Sequence, residues 1–205
     1  MVGVRQFDET AVMRNALDLF RRKGLAATSM LDLAAATGVQ RGSLYNAYGG
    51  KDAIFLLAFD AYAERYLGMI REALDKTDPH AALTAFFEAV ITSMSCGSPA
   101  RGCLSTRTAT EADAAGPAVQ ARLRQWLGEI EATIHASLAS PEFCDRLTLS
   151  PEAAAQLLVT FTRGLAVMER VHHDADRLRE TATALVSLMI RPEETGSLRM
   201  PVDPH

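Results

Sequence analysis

The chain is poor in aromatic residues, in cysteine and in long apolar runs, and each shortage excludes a class of protein. Aromatic residues make up only 6% of the 205 residues. This composition disfavours a sheet-rich fold, because strands are enriched in aromatic and β-branched side chains. The three cysteines, Cys96, Cys103 and Cys144, are an odd number without a CxxC spacing. They therefore argue against a disulfide framework and against a structural zinc site.

No apolar run approaches the roughly 20 residues that a membrane-spanning helix requires. The first residues, MVGVRQFDET, show no apolar stretch after a basic start, so no secretory signal is predicted. With 48% hydrophobic and 22% charged residues, the composition is that of an ordinary globular protein. We therefore expect a cytoplasmic protein without a membrane partner.

The charge is unevenly distributed along the chain. The whole chain carries a net charge of −4, but residues 1–51 contain seven Lys and Arg against four acidic residues. A basic N-terminal quarter on an acidic remainder fits a molecule that meets an anionic partner at one end.

The periodicity of apolar residues predicts an all-α chain with no strand pattern and no fixed repeat. Ser29 stands three residues before Asp32, an N-terminal capping signature, and Ser150-Pro151 is a second strong helix start. About nine helices are expected. Eight lie near residues 10–23, 29–37, 41–47, 51–74, 80–95, 103–113, 117–139 and 175–190, and another begins at Pro151.

The first three predicted helices have the order and spacing of a helix-turn-helix motif, with a Gly-containing turn before the third. In such a motif the third helix enters the major groove of DNA and the helix before it crosses the backbone. The third segment is short and rich in hydrogen-bonding groups. The residues we expect to contact DNA are Thr28, Ser29, Gln40, Arg41, Gly42, Ser43, Tyr45, Asn46, Tyr48 and Lys51.

The stretch from Ala16 to Lys51 reads A-x-x-L-F-x-x-x-G-x-x-x-T-S-M-x-D-x-A-x-x-x-G-V-x-x-G-x-L-Y-x-x-Y-x-x-K. It resembles the N-terminal domain of the TetR/AcrR family of bacterial transcriptional regulators. The stretch RGCLSTRTATEA, residues 101–112, is similar to a segment of the effector domains in one branch of that family. Two positions depart from the family pattern. Gln40 stands where a capping Ser or Thr is common, and Ala47-Tyr48 replaces a frequent His-Phe.

The resemblance implies a homodimeric regulator that binds a palindromic operator on double-stranded DNA, with a helical effector-binding and dimerisation domain. We expect domains at residues 1–51 and 52–192 and a tail at 193–205. The dimer interface is expected on the last two helices, with Leu157, Phe161, Leu165, Leu185 and Leu188 as candidates. The candidates for a pocket that takes a small-molecule effector are Phe86, Phe87, Met94, Leu104, Thr108, Trp126, Ile130, His135, Phe161 and Met168.

Cys103 suggests a different kind of effector. Arg101 lies two residues before it, and an adjacent cation lowers a thiol pKa and favours a reactive thiolate. Cys96 would then be the resolving partner. The competing interpretation is a buried, inert cysteine.

Two functional hypotheses follow from the sequence. The first is a ligand-responsive DNA-binding regulator, most simply a repressor released by a small molecule, with the thiol-sensing regulator as its variant. The second is a helical ligand-binding or enzymatic protein that shares only the N-terminal bundle. No nucleophile elbow, phosphate loop or metal-spacing cluster is present in the sequence, so we expect neither an enzyme nor a cofactor or metal requirement.

Overall fold

A computed structural model describes residues 7–95, 102–111 and 115–192. These residues form ten helices: α1 (Glu9–Lys23), α2 (Met30–Thr37), α3 (Arg41–Tyr48), α4 (Lys51–Leu74), α5 (Pro79–Ser95), α6 (Leu104–Thr110), α7 (Pro117–Leu138), α8 (Pro141–Cys144), α9 (Pro151–His172) and α10 (Ala175–Met189). The all-α prediction is confirmed. The expected number of nine was one too low, because the single turn of α8 is too short to show a helical period.

Helices α1 to α3 form a small bundle, the head, around a buried centre. Phe20, Leu33 and Leu44 are fully buried there, and Val39 fills the turn between α2 and α3. The predicted capping signature is present, because the Ser29 and Asp32 side chains each accept a hydrogen bond from the other residue's backbone N–H. Gly38 ends α2 in the left-handed conformation (φ 70°), which a residue without a side chain adopts at little cost. The capping of α2 and the turn at Gly38 set the orientation of α3 relative to α2.

Helix α4 connects the head to the rest of the molecule, which we call the body. Its 24 residues pack against α1 at one end and against α5 and α7 along its length. Its inward face is a ladder of aromatic rings, in which Phe55 contacts Phe20 of the head (ring centroids 5.1 Å apart) and Tyr66 contacts Trp126 of α7 (5.6 Å). The junction between head and body is thus a continuous packed core.

Helices α5, α7, α9 and α10 form most of the body. Helix α9 begins where Ser150-Pro151 predicted it, with the Ser150 hydroxyl accepting from the Ala153 N–H. Helix α10 packs against α5 and α9. An isolated antiparallel bridge between Leu147 and Ile190 closes the end of the body. Within the described residues, no helix is both long and apolar enough to cross a bilayer.

Candidate nucleic-acid interface and effector core

Helix α3 presents a polar, exposed surface on a buried anchor. Leu44 is completely buried against the head, whereas Gln40, Arg41, Gly42, Ser43, Tyr45 and Asn46 are exposed. None of these polar side chains forms a hydrogen bond or ion pair with another described residue. The helix therefore offers a set of donors and acceptors that the described residues do not use.

The start of α3 is held less firmly than that of α2. Gln40 occupies the N-cap position but makes no side-chain capping hydrogen bond, which agrees with its being a departure from the family pattern. The N–H groups of the first turn of α3 consequently lack a side-chain cap. Such uncapped N–H groups favour an anion such as phosphate.

Three of the predicted DNA-contacting residues are placed differently from the rest. Thr28 is buried, and its hydroxyl donates to the Gly24 carbonyl oxygen, so we leave it out of the surface proposed below. Tyr48 is half-buried with its ring 6.2 Å from that of Phe7, and so fills a core position. The Lys51 Nζ donates to the Leu25 carbonyl oxygen at 2.8 Å, which places its charge at the edge of the head.

Ser29 belongs to a small polar network at the start of α2. Its hydroxyl lies 2.6 Å from the Asp32 carboxylate, and the Lys23 Nζ lies 2.6 Å from the same carboxylate oxygen. The hydrogen bond from Lys23, and then those from Ser29, hold the pKa of Asp32 far below the usual aspartate range. The network fixes the loop that precedes α2, and the exposed Ser29 stands at its rim.

The predicted pocket residues mostly fill the core of the body. Phe86, Phe87, Met94, Leu104, Thr108, Trp126 and Ile130 are buried. Two of the others do not line an interior pocket. Met168 is 48% exposed on the outer face of α9, and the half-exposed His135 lies 3.3 Å from the Glu152 carboxylate at a surface groove between α7 and α9. We therefore remove Met168 and His135 from the effector pocket.

The predicted dimer residues divide into two groups. Leu188 is 74% exposed, and Leu157, Phe161 and Leu185 are half-buried, although the Phe161 ring also packs edge-on against Phe87. Leu165 is only 3% exposed and belongs to the core of its own chain. We therefore withdraw Leu165 from the interface.

A polar cluster lies inside the body where α4, α6 and α9 meet. The Arg163 guanidinium donates to the Ser105 hydroxyl at 2.6 Å and lies 3.7 Å from the Cys103 sulfur, and it also interacts with the Tyr66 hydroxyl. Arg163 forms no ion pair with a described carboxylate. A half-buried arginine without a described carboxylate partner favours a negative charge on whatever lies beside it.

Of the ionisable groups beside Arg163, Cys103 is the one whose pKa is lowered, because burial raises the pKa of Tyr66 to about 12. Burial opposes ionisation, but the Arg163 charge, together with hydrogen bonds from Ser105 and Thr106, lowers the thiol pKa below its usual value. The cation beside the thiol in the described residues is Arg163 of α9. Arg101, the cation that the sequence suggested, lies outside them. Cys96, the suggested resolving partner, also lies outside them.

Sequence reasoning missed Arg163, although a signal existed. It is the single charged residue between Glu152 and Glu169, in the middle of an otherwise apolar and small-residue helix. Burial of a single charged side chain in such a helix costs free energy unless the side chain faces a polar site. Arg107 of α6 was missed for another reason, because its partners are backbone carbonyls of α1, more than 80 residues away.

Comparisons with known proteins assign the chain to one family. Residues 12–58 match the family model described as bacterial regulatory proteins, tetR family, and residues 79–185 match the model described as tetracyclin repressor-like, C-terminal domain.

Curated relatives match along nearly the whole chain. The uncharacterized HTH-type transcriptional regulator YezE of Bacillus subtilis (strain 168) is 25% identical over 191 residues, covering 90% of this chain and 97% of YezE. The HTH-type transcriptional repressor ComR of Escherichia coli (strain K12) is 24% identical, covering 89% of each chain.

Solved structures share the fold. The reduced form of E. coli NemR superposes with a TM-score of 0.79 at 18% identity, covering 90% of this chain and 97% of NemR. A cysteine-substituted form of the TetR-family transcriptional regulator CifR, complexed with 26-base-pair operator DNA, superposes with a TM-score of 0.80 at 21% identity. It covers 91% of this chain and 99% of CifR.

Proposed function

Because the chain belongs to the TetR family of bacterial transcriptional regulators, we propose that it is a homodimeric repressor released from a palindromic operator by a small molecule. The observation that supports DNA binding most strongly is the surface of α3. Its exposed polar side chains have no partner among the described residues, yet the buried Leu44 fixes the helix on the head. That combination suits a helix that reads the major groove.

The residues of the proposed DNA surface have different roles. Arg41, Ser43 and Asn46 would supply donors to base edges or phosphates, and Tyr45, 47% exposed, would offer its hydroxyl or its ring. Gln40 and Gly42 lie at the end of α3 that approaches the duplex, and Gly42 has no atom near its absent side chain. Ser29 and Lys51 lie at the margin, where backbone phosphates would pass.

The test selects operator sequences from a randomised duplex pool and then measures affinity by fluorescence anisotropy. We expect the wild-type protein to enrich a palindromic site. Tyr45→Ala and Arg41→Ala should weaken binding to that site by about tenfold or more. Arg124→Ala is the matched control, because Arg124 is equally exposed on α7, far along the chain from the head. Failure to enrich any site at low salt, where phosphate contacts are strongest, would refute DNA recognition.

The proposed dimer uses the outer faces of α9 and α10. On α9, Leu157, Phe161, Gly164, Met168 and Val171 follow one another at intervals of four and three residues and are all at least partly exposed. On α10, Leu185 and Leu188 are placed likewise. Two such faces from each protomer would form a four-helix bundle and hold two heads one helical turn of DNA apart.

A second candidate for the signal is an electrophile that reacts with Cys103. The Cys103 sulfur, with its lowered pKa beside Arg163, would attack the β-carbon of a Michael acceptor and form an S–C bond. The π electrons of the acceptor move to an enolate, which then takes a proton from water. The adduct would disturb α6, which contacts α1 of the head.

N-ethylmaleimide is the probe for this second candidate. Treatment should release wild-type protein from its operator and leave Cys103→Ser bound, with Cys144 present in both proteins as an internal control. Equal release of both proteins would assign the effect to another site. Retention of both would leave the reversible small-molecule effector as the signal.

A further inference from the structure

A cavity of about 360 Å³ lies between the head and the body, and it shares Tyr66 with the polar cluster around Cys103. It is formed by α1, α4 and α5, and its volume falls within the range typical of small-molecule sites. The residues that line it are Arg14, Leu17, Asp18, Arg21, Tyr62, Arg65, Tyr66, Met69 and Ser93. We call this cavity the junction cavity.

The charges of the junction cavity are unbalanced. Arg14, Arg21 and Arg65 bring three positive charges, and Asp18 brings one negative charge. Within the described part of the chain, none of the four forms an ion pair, although other arginines of the same chain do. Three guanidinium groups around one opening, without an acidic partner in contact, create a positive potential that a bound anion would relieve.

Arg21 is the fixed member of the three. Its Nη2 donates to the carbonyl oxygens of Ser93 and Gly102, both at 3.2 Å, and its guanidinium carbon lies 5.6 Å from the centre of the Tyr62 ring. These contacts hold the guanidinium in one place at the inner end of the cavity. Its Nε is buried and has no acceptor among the described residues. A buried donor without a partner is costly, and an anionic oxygen in the cavity would satisfy it.

The remaining walls are apolar. Leu17, Tyr62 and Tyr66 are buried residues that contribute hydrocarbon and ring atoms, and Met69 is half-buried beside them. A small inorganic anion would leave these walls uncovered. A ligand with a flat or aliphatic body would cover them and gain the free energy of removing apolar surface from water.

We infer that the junction cavity binds an organic anion that carries one carboxylate or phosphate group on an apolar body. The anionic group would lie between Arg21, Arg14 and Arg65, and the apolar body would lie against Tyr62, Tyr66 and Met69. Such a ligand would contact α1 of the head and α4 and α5 of the body together. Its effect on operator affinity rests on the proposed function, whereas its binding does not.

The test uses 8-anilinonaphthalene-1-sulfonate as an anionic aromatic probe and N-phenyl-1-naphthylamine as its neutral counterpart. Both are titrated into the full-length protein at low salt, without DNA, and binding is followed by probe fluorescence. The wild-type protein should bind the sulfonate saturably. The double variant Arg14→Met/Arg65→Met should weaken it about tenfold, and Asp18→Asn should strengthen it about threefold. Affinity for the neutral probe should stay unchanged in all three proteins.

Arg124→Met is the matched control, because it removes one exposed arginine from the body outside the cavity. Circular dichroism confirms that each variant is folded. The inference would be overturned if the affinity for the sulfonate were the same in the wild type and in the Arg14, Arg65 and Asp18 variants. It would also be overturned if that affinity fell equally in Arg124→Met. Inorganic phosphate and 1-naphthoate are then compared as competitors of the sulfonate. If phosphate displaced the probe at concentrations as low as 1-naphthoate does, the ligand would not need an apolar body. Because no DNA is present, these outcomes are independent of the operator experiment.

Discussion

At the scale of single residues, Arg163 determines which group of the polar cluster in the body ionises most readily. It brings a permanent charge into the body and finds a thiol, hydroxyl groups and tyrosines there, with no carboxylate among its contacts. Burial raises the pKa of Tyr66 to about 12 despite that charge, so the tyrosine stays neutral at physiological pH. Cys103 is therefore the group that Arg163 biases towards its anion.

Replacing Arg163 with Met should raise the pKa of Cys103, because the charge that lowers it is removed while burial remains. The measurement is the pH dependence of Cys103 alkylation by iodoacetamide, followed by peptide mass spectrometry. We expect the rate in the variant to rise at a higher pH than in the wild type. Ser105→Ala should give a smaller change in the same direction, since it removes only one hydrogen bond. An identical profile in wild type and Arg163→Met would contradict the assignment.

Ser29 offers a second test, because it combines a cap with a proposed phosphate contact. Ser29→Ala should lower the free energy of unfolding by about 1 kcal/mol, as expected for loss of an N-cap side chain. Urea unfolding measures this. Ser187→Ala on α10 is the control, since that hydroxyl only donates to a carbonyl of its own helix. A much larger loss of operator affinity than of stability would indicate a direct contact with DNA.

Asp32 makes the same network sensitive to acid. Its pKa is lowered in the folded state, chiefly by the hydrogen bond from Lys23. Its contribution to stability is therefore fully present above the unfolded aspartate pKa of about 3.9 and is lost as the pH falls further. Wild-type stability should fall more steeply below that pH than that of Asp32→Asn, as measured by urea unfolding at several pH values. Parallel pH profiles would show that the network does not contribute.

Some of these residue-level features follow from sequence and others do not. The Ser29–Asp32 cap is local, within three residues, so its spacing alone predicted it. The inward turn of Thr28 depends on the Gly24 carbonyl, and the contact of Lys51 joins it to a carbonyl 26 residues earlier in the chain. A contact across 26 residues, such as that of Lys51, depends on how helices pack, which a local pattern does not encode.

At the scale of elements, α6 connects the polar cluster around Arg163 to the head. Its N-terminal end carries Ser105 next to Arg163, and its C-terminal end carries Arg107, which donates to the carbonyl oxygens of Arg22 and Lys23 at 3.0 and 2.8 Å. Glu111 just beyond it accepts from the Ala26 N–H at 3.1 Å and pairs with Arg107. A shift of α6 would therefore move the end of α1 and the loop that leads to α2.

Arg107→Met should loosen this connection without unfolding the body. We expect faster amide hydrogen exchange around Ala26 and a loss of stability of about 1 kcal/mol. Arg179→Met is the matched control, because Arg179 also makes bidentate contacts, with Glu88, but within the body. Exchange around Ala26 should not change in that control. Equal exchange in wild type and Arg107→Met would exclude a coupling role for this arginine.

The helices themselves were the most predictable part of the molecule. Strong periodicity with clear stop signals gave α1, α7 and α10 to within one residue at each end, and the start of α9. The role of α6 was not predictable, because seven residues carry too little pattern to show which neighbours they contact. The junction cavity was not predictable either, because it depends on helix packing. Its arginines lie on α1 and α4, and only the crossing of those helices brings them together.

At the scale of the whole molecule, one outer face is left uncovered by the residues that the structure describes. Val171 and Leu188 are 65% and 74% exposed, and Val167 and Met168 are each 48% exposed. Apolar side chains concentrated on the last two helices would be unfavourable in water for an isolated protomer. A twofold symmetric contact would bury each of them against the same face of a second copy.

The domain boundary at residue 51 remains a prediction, since α4 runs from the head into the body without a break.

The double variant Val171→Glu/Leu188→Glu should convert the proposed dimer to a monomer. Each substitution would occur twice in a twofold interface, so four carboxylates would lose water and repel one another. Sedimentation velocity measures the change in mass, and operator affinity should fall by about a hundredfold or more, because one head reads only a half-site. Leu57→Glu is the matched control, since Leu57 is 48% exposed on α4, outside the proposed face. A double variant that remained dimeric would place the interface elsewhere, whereas a monomer with undiminished operator affinity would show that a single head suffices for recognition.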